Sequence, residues 1–452
     1  MHKVFRIGPS KFRIPLISLM ATLCCFMGES KASANPDIAP KPGMAMSLEA
    51  CLAVALENSP DITMAQWDER AAQERADQAK GSLLPVLSFE ASCDRFGQAQ
   101  RVIAPHALGA SGTFDEHVAD YGITGRASLF RGGGGLNALR AALLDHVAAA
   151  QEGVRSRDLV VFAVTEAFYR IVGLDSLIAT TQFSRQSLEA HHRQIEERIA
   201  VGKAARVDLL RIAVRMADLD QNLVQLKNNR KIAAQLLLYR MGREGRSEKG
   251  LRVVADLKEP EFPLTWEEMP EQALVNRADY RAAQLRTEAQ RKRLSVAKGG
   301  RWPEVVLKAR YGGRSGGDLA FDENWNVGVQ LGVPLFAGGT LSAGIREEQH
   351  KLHRAEEAER KLRLTIELEV RAAGLHLQEA RTRIHTAGVV VKQAREVLRI
   401  EQERHRLGKG TVADVLEAQA ELLKMQTQAV QALVDRALAV AELERALGAR
   451  GK

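Results

Sequence analysis

The chain is short of the residues that break helices and of those that fill compact cores: aromatics are 5% of its 452 residues, and prolines number 13. Proline is missing altogether from 135–201 and from 341–407, so nothing of that kind interrupts a helix in either stretch. Ala, Leu, Glu, Gln, Arg and Lys crowd most segments, which is a helix-rich composition with coiled-coil character. A surplus of one charge is also lacking. Removing a basic leader (residues 1–34, five Lys/Arg against Glu29) takes the net +8 down by 4, to +4. Lys/Arg and Glu/Asp interleave along the predicted helices, a sign of solvated helix faces and not of a nucleic-acid-binding stripe. Cysteine is scarce, with Cys51 and Cys93 the two that lie beyond the leader. If residues 48 to about 80 form one helix, its length of roughly 45 Å at 1.5 Å per residue separates them, and two free thiols are expected.

Motifs for chemistry are missing too. Gly132 to Gly135 could pass for a phosphate cradle, but a P-loop ends in Gly-Lys-Ser/Thr, and Leu136-Asn137 follows here. His350 and His353 sit three apart on a charged helix, and His191-His192 are adjacent and so face different ways. All four read as surface residues, leaving no metal site. No Ser/His/Asp or Cys/His arrangement emerges, and long polar-faced helices are poor scaffolds for a buried site. The sequence predicts neither an enzyme nor a cofactor.

The leader itself is informative. His2, Lys3, Arg6, Lys11 and Arg13 precede an apolar stretch from Ile14 to Phe26, and Ala32-Ser33-Ala34 gives a small-x-small cleavage site before Asn35. This reads as a secretory signal peptide over residues 1–34. The residues before Cys24, Ala21-Thr22-Leu23, make a poor lipoprotein box, which favours ordinary cleavage over acylation.

What the chain does have, it has twice. Ser128-Leu129-Phe130-Arg131-Gly132-Gly133 is answered by Pro334-Leu335-Phe336-Ala337-Gly338-Gly339, an offset of 336 − 130 = 206. The same offset pairs Gly202-Lys203 with Gly408-Lys409, Asp208 with Asp414 and Gly242 with Gly448. Upstream the offset is 218, as in Lys80-Gly81 against Lys298-Gly299 and Pro85 against Pro303. Twelve residues (218 − 206) therefore separate the copies between Pro85 and Phe130. An internal duplication of this length governs the rest of the reading.

Each copy opens with a helix, capped by Ser47 in the first and starting near Thr265 in the second, and ended by Lys-Gly before proline. The period then changes to two. Val305, Leu307, Ala309 and Tyr311, and after them Trp325, Val327, Val329 and Leu331, alternate with polar or small residues. Leu87, Phe89, Ala91 and Cys93, then Tyr121, Ile123, Ala127 and Leu129, repeat the design in the first copy. These are strands with one apolar face, of about 9 to 11 residues, the length of a tilted transmembrane β-strand. The stretch from about 95 to 119 is expected to be a loop carrying the twelve-residue excess. Gly132-Gly133 and Gly338-Gly339 let each hairpin swing sharply into a helix. That helix runs some 67 residues, about 100 Å, reverses at Gly202 or Gly408, and returns to Gly242 or Gly448 with a coiled-coil apolar pattern. At the reversals the glycines supply a left-handed turn and Asp208 or Asp414 favours the start of the return helix. The expected organisation is a leader (1–34), an extended arm (35–46), a first repeat (47–242, hairpin about 86–130), a connection (243–264), a second repeat (265–448, hairpin about 304–336) and a short tail (449–452).

The leader, the duplicated order of helix, hairpin, long helix and return, the Leu-Phe-x-Gly-Gly exits and the Gly-Lys-x-x-x-x-Asp-Val/Leu-Leu turns together resemble a TolC-like outer-membrane efflux protein (an outer membrane factor), over roughly residues 47–448. The resemblance implies a mainly α fold with a membrane β-barrel part. Three identical chains would give four strands each to a twelve-stranded barrel, continuous with a periplasmic α-helical tunnel. Trimerisation answers a physical need, since four strands cannot close a barrel and an open edge cannot stand in lipid. Trp325, Val327, Val329 and Leu331 would then face lipid, and Lys308, Arg310, Asn326 and Gln330 the lumen. Asp414 and Glu417 would line the periplasmic entrance, with Asp208 matching Asp414 in the outer hairpin. Where relatives close that entrance with a basic and an aromatic residue, this chain has Gly410 and His405, and His405 would make closure pH-sensitive. Gly202, Lys203, Gly408 and Lys409 would dock a periplasmic adaptor (membrane fusion) protein, and an inner-membrane RND or ABC pump would drive export through a passive duct. The place implied is the outer membrane of a Gram-negative bacterium, with a large periplasmic part. The rival readings are a periplasmic coiled-coil structural or adhesive protein, which has no use for two amphipathic hairpins, and an uptake porin, which has no use for so much helix.

Overall fold

A computed structural model describes residues 45–103, 112–202, 204–243, 251–255 and 268–448. The leader and nearly all of the arm, most of the connection, the Thr265 helix start, Lys203 and the tail lie outside the described residues. The element order is β1 (Ala45–Met46), α1 (Leu48–Asn58), α2 (Pro60–Gly81), β2 (Val86–Ile103), β3 (Thr113–Arg131), α3 (Gly134–Ala200), α4 (Arg206–Arg240), β4 (Arg252–Val253), α5 (Met269–Asn276), α6 (Ala278–Gly299), β5 (Glu304–Ser315), β6 (Asp322–Gly332), α7 (Thr340–Arg406) and α8 (Val412–Leu447). Strands β1 and β4 form a small parallel pair, which stitches the end of the arm to the connection. The other four make one antiparallel sheet in the order β2-β3-β5-β6. Among the described residues no helix is long and apolar enough to cross a membrane.

The first helix of each copy is not continuous. Ser47 caps α1 by accepting from Ala50 N, but the chain leaves the helix at Ser59 and re-enters it at Pro60. Proline disfavours helical angles in the residue before it, so the single helix expected over 48–80 is two. The second copy bends at the matching place, Arg277, without a proline.

Duplication extends to the core. In the first copy Cys51, Ala55, Val160, Val164, Ala167, Ile171, Ala233, Leu237 and Met241 are packed together and buried. Their counterparts at the two offsets, Met269, Ala273, Ile366, Val370, Ala373, Leu377, Ala439, Leu443 and Leu447, form the core of the second. Burial pushes the Cys51 thiol up to about 11. Cys93 lies exposed on β2, and both thiols are free. The return helices end against the bends: Gly242 and Gly448 both take φ +68. A side chain on Gly242 would collide with the carbonyl of Asn58, and one on Gly448 would crowd Arg277. Glycine satisfies both the left-handed angle and the close approach.

The first hairpin spans the residues expected, but its strands are much longer than expected. β2 and β3 have 18 and 19 residues against 12 and 11 for β5 and β6. Pairing continues past Arg95–His117 to Ile103–Thr113, so most of the stretch read as a loop over 95–119 is strand. Polar β-structure beyond the apolar band has no period-two hydrophobic signal, which is why it reads as loop. The second hairpin is shorter than expected: β6 ends at Gly332, before Leu335 and Phe336.

Candidate functional site

Register sorts the sheet residues into two faces. Phe89, Ile123, Tyr311 and Trp325 stand in one row across the four strands, and Leu87, Gly125, Ala309 and Val327 in the next. Ala127, Leu307 and Val329 continue this apolar face. A bulge between Ser128 and Phe130 then drops Leu129 out of register, so Phe130, not Leu129, joins Val305 and Leu331 in the last row. The opposite face carries Ser88, Thr124, Arg310 and Asn326 in one row, and Arg126 and Lys308 in another. Arg310 and Arg314 both reach Asp120, at 3.5 and 3.9 Å, and Thr124 Oγ1 donates to Glu90 Oε1 at 3.1 Å. One face thus suits lipid and the other water, while β2 and β6 leave both outer edges of the sheet unpaired among the described residues.

Gly132 and Gly133, with φ +54 and +74, take the chain from β3 into α3, and Gly338 and Gly339, with φ +59 and +81, take it into α7. Each long helix has 67 residues, which is about 100 Å at 1.5 Å per residue. At the far end Gly202 and Gly408 reverse the chain with φ +74 and +72, and Lys409 is exposed beside the second turn. Ile195, Ile212 and Val412 form a buried apolar knot that fastens the two reversals together.

The two aspartates sit differently. Asp414 is the third residue of α8 and forms a capping box: its N–H donates to Thr411 Oγ1 at 3.2 Å, and its Oδ2 accepts from Thr411 N at 2.9 Å. These bonds, the backbone one first, hold its carboxyl below the ordinary range. Asp208 follows Ala205, which offers no side-chain cap, and lies 3.9 Å from Arg211. Glu417, one turn past Asp414, is exposed.

His405 is not alone. Its ring lies 5.7 Å from that of His191, edge-on at 62°, joining α7 to α3. The surface position expected for His191 is therefore corrected: it is half-buried. His192, also expected at the surface, is half-buried as well and lies 3.6 Å from Glu196; the two face different ways, and it is His191 that meets His405. Burial, His405 and Arg198 lower the His191 pKa against a hydrogen bond that the ring donates to Gln194. Burial and Arg198 lower that of His405 against Asp208. Nothing in the spacing of His191 and His405 ties them together, because the contact crosses from one copy to the other. Among the described residues no group of three or more His, Cys, Asp or Glu could hold a metal.

An open-edged sheet with a lipid-suited face, continuous with helical hairpins of this length, defines a subunit of an outer-membrane channel with a periplasmic tunnel. A family model described as outer membrane efflux protein matches the chain over residues 52–243 and again over 269–449. The chain belongs to the outer membrane efflux protein family. It is 25% identical over 417 residues to the pyoverdine export outer membrane protein OpmQ of Pseudomonas aeruginosa, covering 89% of this chain and 85% of the relative. It is 21% identical to the outer membrane protein TolC of Escherichia coli, covering 86% and 80%. In fold it is similar to the outer-membrane channel OprN, with TM-score 0.78, 20% identity and coverage of 89% and 90%. It is likewise similar to VceC of Vibrio cholerae, with TM-score 0.75, 24% identity and coverage of 89% and 96%. As a member of this family the protein is an outer-membrane export channel, with its helices in the periplasm, and not an enzyme.

Proposed function

We propose that three copies of the chain close one barrel and one tunnel, and that this duct accepts cargo from an inner-membrane pump of the RND or ABC class through a periplasmic adaptor. The observation that carries this reading is the four-stranded sheet with both edges open and one apolar face. Backbone groups at an edge cannot remain unpaired in lipid. The adaptor would dock at the reversals, where Gly202, Gly408 and Lys409 stand at the outer end of the helices; Lys203, next to Gly202 in the sequence, is assigned to the same role. Asp414 and Glu417, near the second reversal, would ring the entrance and favour cations, with Asp208 behind them in the outer hairpin.

Planar-bilayer recording on purified protein, with its mass measured in detergent, tests the proposal. A trimer with persistent cation-preferring conductance is the expected result, and a non-conducting monomer would defeat it. Neutralising Asp414 and Glu417 together is expected to lower cation preference severalfold. Unchanged selectivity would remove these two from the entrance.

A further inference from the structure

On the water-suited face of the sheet two cations stand directly opposite each other on the inner strands: Arg126 on β3 faces Lys308 on β5. Both are exposed. Like charges in that position oppose strand pairing, and a nearby carboxylate would relieve them. The sheet supplies none. Their row ends in Val86 on β2 and Gly328 on β6. One flanking row holds Ser88, Thr124 and Asn326 with a third cation, Arg310, and the other holds Ser128, Val306 and Gln330. Among the described residues neither Arg126 nor Lys308 has an ion-pair partner.

The nearest carboxylates on this face are already engaged. Glu304 holds Arg131 at 3.2 Å, and Glu90 accepts from Thr124. Asp120 is shared by Arg310 at 3.5 Å and Arg314 at 3.9 Å, one carboxylate for two guanidiniums. The Nε of each of these arginines is buried with no acceptor among the described residues. Buried donors are satisfied by protein, water or a bound group, and here the chain does not provide the acceptor. A neighbouring copy is badly placed to do so for Arg126 and Lys308. They lie on the two inner strands, so the backbone of any chain beyond β2 or β6 stays two strand spacings away, about 9–10 Å. A lipid headgroup is on the wrong side, since this face is opposite the apolar one.

We propose that Arg126, Lys308 and Arg310 form an anion-binding belt on the lumen wall of the barrel, whose ligand is a water-soluble small molecule carrying several carboxylate or phosphate groups. This rests on the channel reading above and adds to it the chemical class of the cargo. Guanidinium groups match the planar two-oxygen edge of a carboxylate or phosphate, and the lysine adds a point charge. In a wet lumen the attraction is weak and screened by salt, as a duct requires, because cargo must leave as well as enter. The belt is also independent of the acidic residues at the reversals. The long helices put about 100 Å between them, against a Debye length of about 8 Å at physiological salt. An anion driven past the tip meets the opposite field in the barrel, which opposes its return.

The test is planar-bilayer recording of the full purified protein with inorganic triphosphate as the probe, in about 0.1 M KCl, where the Debye length is about 10 Å. The charged helical body cannot cross lipid, so it stays on the side to which protein is added and the barrel opens to the other chamber. Triphosphate in that other chamber is expected to lower single-channel conductance at concentrations about tenfold below those needed beside the helices. Arg126→Gln combined with Lys308→Gln should raise the half-blocking concentration about tenfold, whereas Arg126→Lys, which keeps the charge, should hold it within about threefold. The double substitution also removes like charges from opposed strands, so the channel should insert and resist heat at least as well as the native one. Unchanged block in the double variant overturns the belt, as does block of equal strength from both chambers. Block lost as fully in Arg126→Lys overturns the role of charge. Conductance that triphosphate never affects defeats the belt and leaves the channel reading standing, whereas the absence of any conductance takes down both. Should the double variant fail to insert, Lys308→Gln alone decides: a shift of about threefold is expected, and no shift overturns the proposal.

Discussion

At Ser59 and at Arg277 the chain leaves its helix with almost the same backbone angles, φ −66 and ψ 125 in the first copy and φ −68 and ψ 123 in the second. The means differ. In the first copy Pro60 enforces the bend through its ring, and the buried Ser59 has little else to do. In the second, Arg277 is 2% exposed and donates to Asp279 at 3.0 and 2.6 Å and to Glu369 at 2.5 Å. Burial alone would raise the Asp279 pKa, but the Arg277 bonds and the Arg155 charge outweigh it and hold that carboxyl below its ordinary value. Glu369 corresponds to Ala163 in the first copy, 369 − 206 = 163, so the arginine and its α7 acceptor occur together in one copy and are absent together from the other, while its second acceptor, Asp279, keeps a counterpart in Asp61, 279 − 218 = 61. The same geometry is thus made locally by covalent constraint and non-locally by a buried ion pair.

The sharpest way to break this comparison is to remove the arginine. Arg277→Ala leaves Asp279 and Glu369 without their shared partner, and losing one member of a buried pair costs about 3–5 kcal/mol. Ser59→Ala is expected to cost about 1 kcal/mol or less. Thermal unfolding in detergent should therefore show a large fall in midpoint for the first and a small one for the second. Equal effects would mean that the arginine does not hold the bend.

The tips differ in a second way. His405 stands where the first copy has Ile199, 405 − 206 = 199, and Ile199 packs against the apolar knot. His405 packs instead on His191, with Arg198 and Asp208 facing it, and both imidazoles have lowered pKa values in the fold. An unfolded or opened tip binds protons at about pH 6.5, whereas the packed tip resists them. The stability of this contact is therefore full above about pH 6.5 and declines as pH falls through the lowered folded values. Limited proteolysis at the reversals should accelerate severalfold between pH 7.5 and pH 5, and His405→Gln should flatten that dependence. A profile unchanged by the substitution would assign the pH response to other groups.

Much of this architecture is legible in the sequence because the duplication is gapless over the helices. Alternation at Trp325 to Leu331 and the paired glycines at 132–133 and 338–339 mark their own structures locally. What escapes the sequence is non-local. The bend at Arg277 has no proline or glycine to announce it, and its cause sits on α7, ninety-two residues away at Glu369. The bulge at Leu129 follows from pairing with β5, in the other copy. His191 carries little signal, since adjacent histidines on a helix face different ways but nothing local says which meets another helix, and its partner belongs to the other repeat.

The smallest effect is expected at the reversals, where the copies differ by one cap. Thr411 and Asp414 form a capping box. The first copy has Asp208 in the same place but Ala205 where the threonine should be. Thr411→Ala should cost about 1 kcal/mol, and Ala205→Thr, which builds the missing half of the box on an extended backbone, should gain roughly 0.5–1 kcal/mol. Asp414 serves the cap and is also the proposed entrance carboxylate, and the threonine separates those roles. Thr411→Ala weakens the cap but keeps the charge, while Asp414→Asn weakens the cap and removes it. If single-channel cation preference falls only in Asp414→Asn, the charge acts on the permeating ion. If both variants shift it equally, the carboxylate acts only by holding the start of α8 in place.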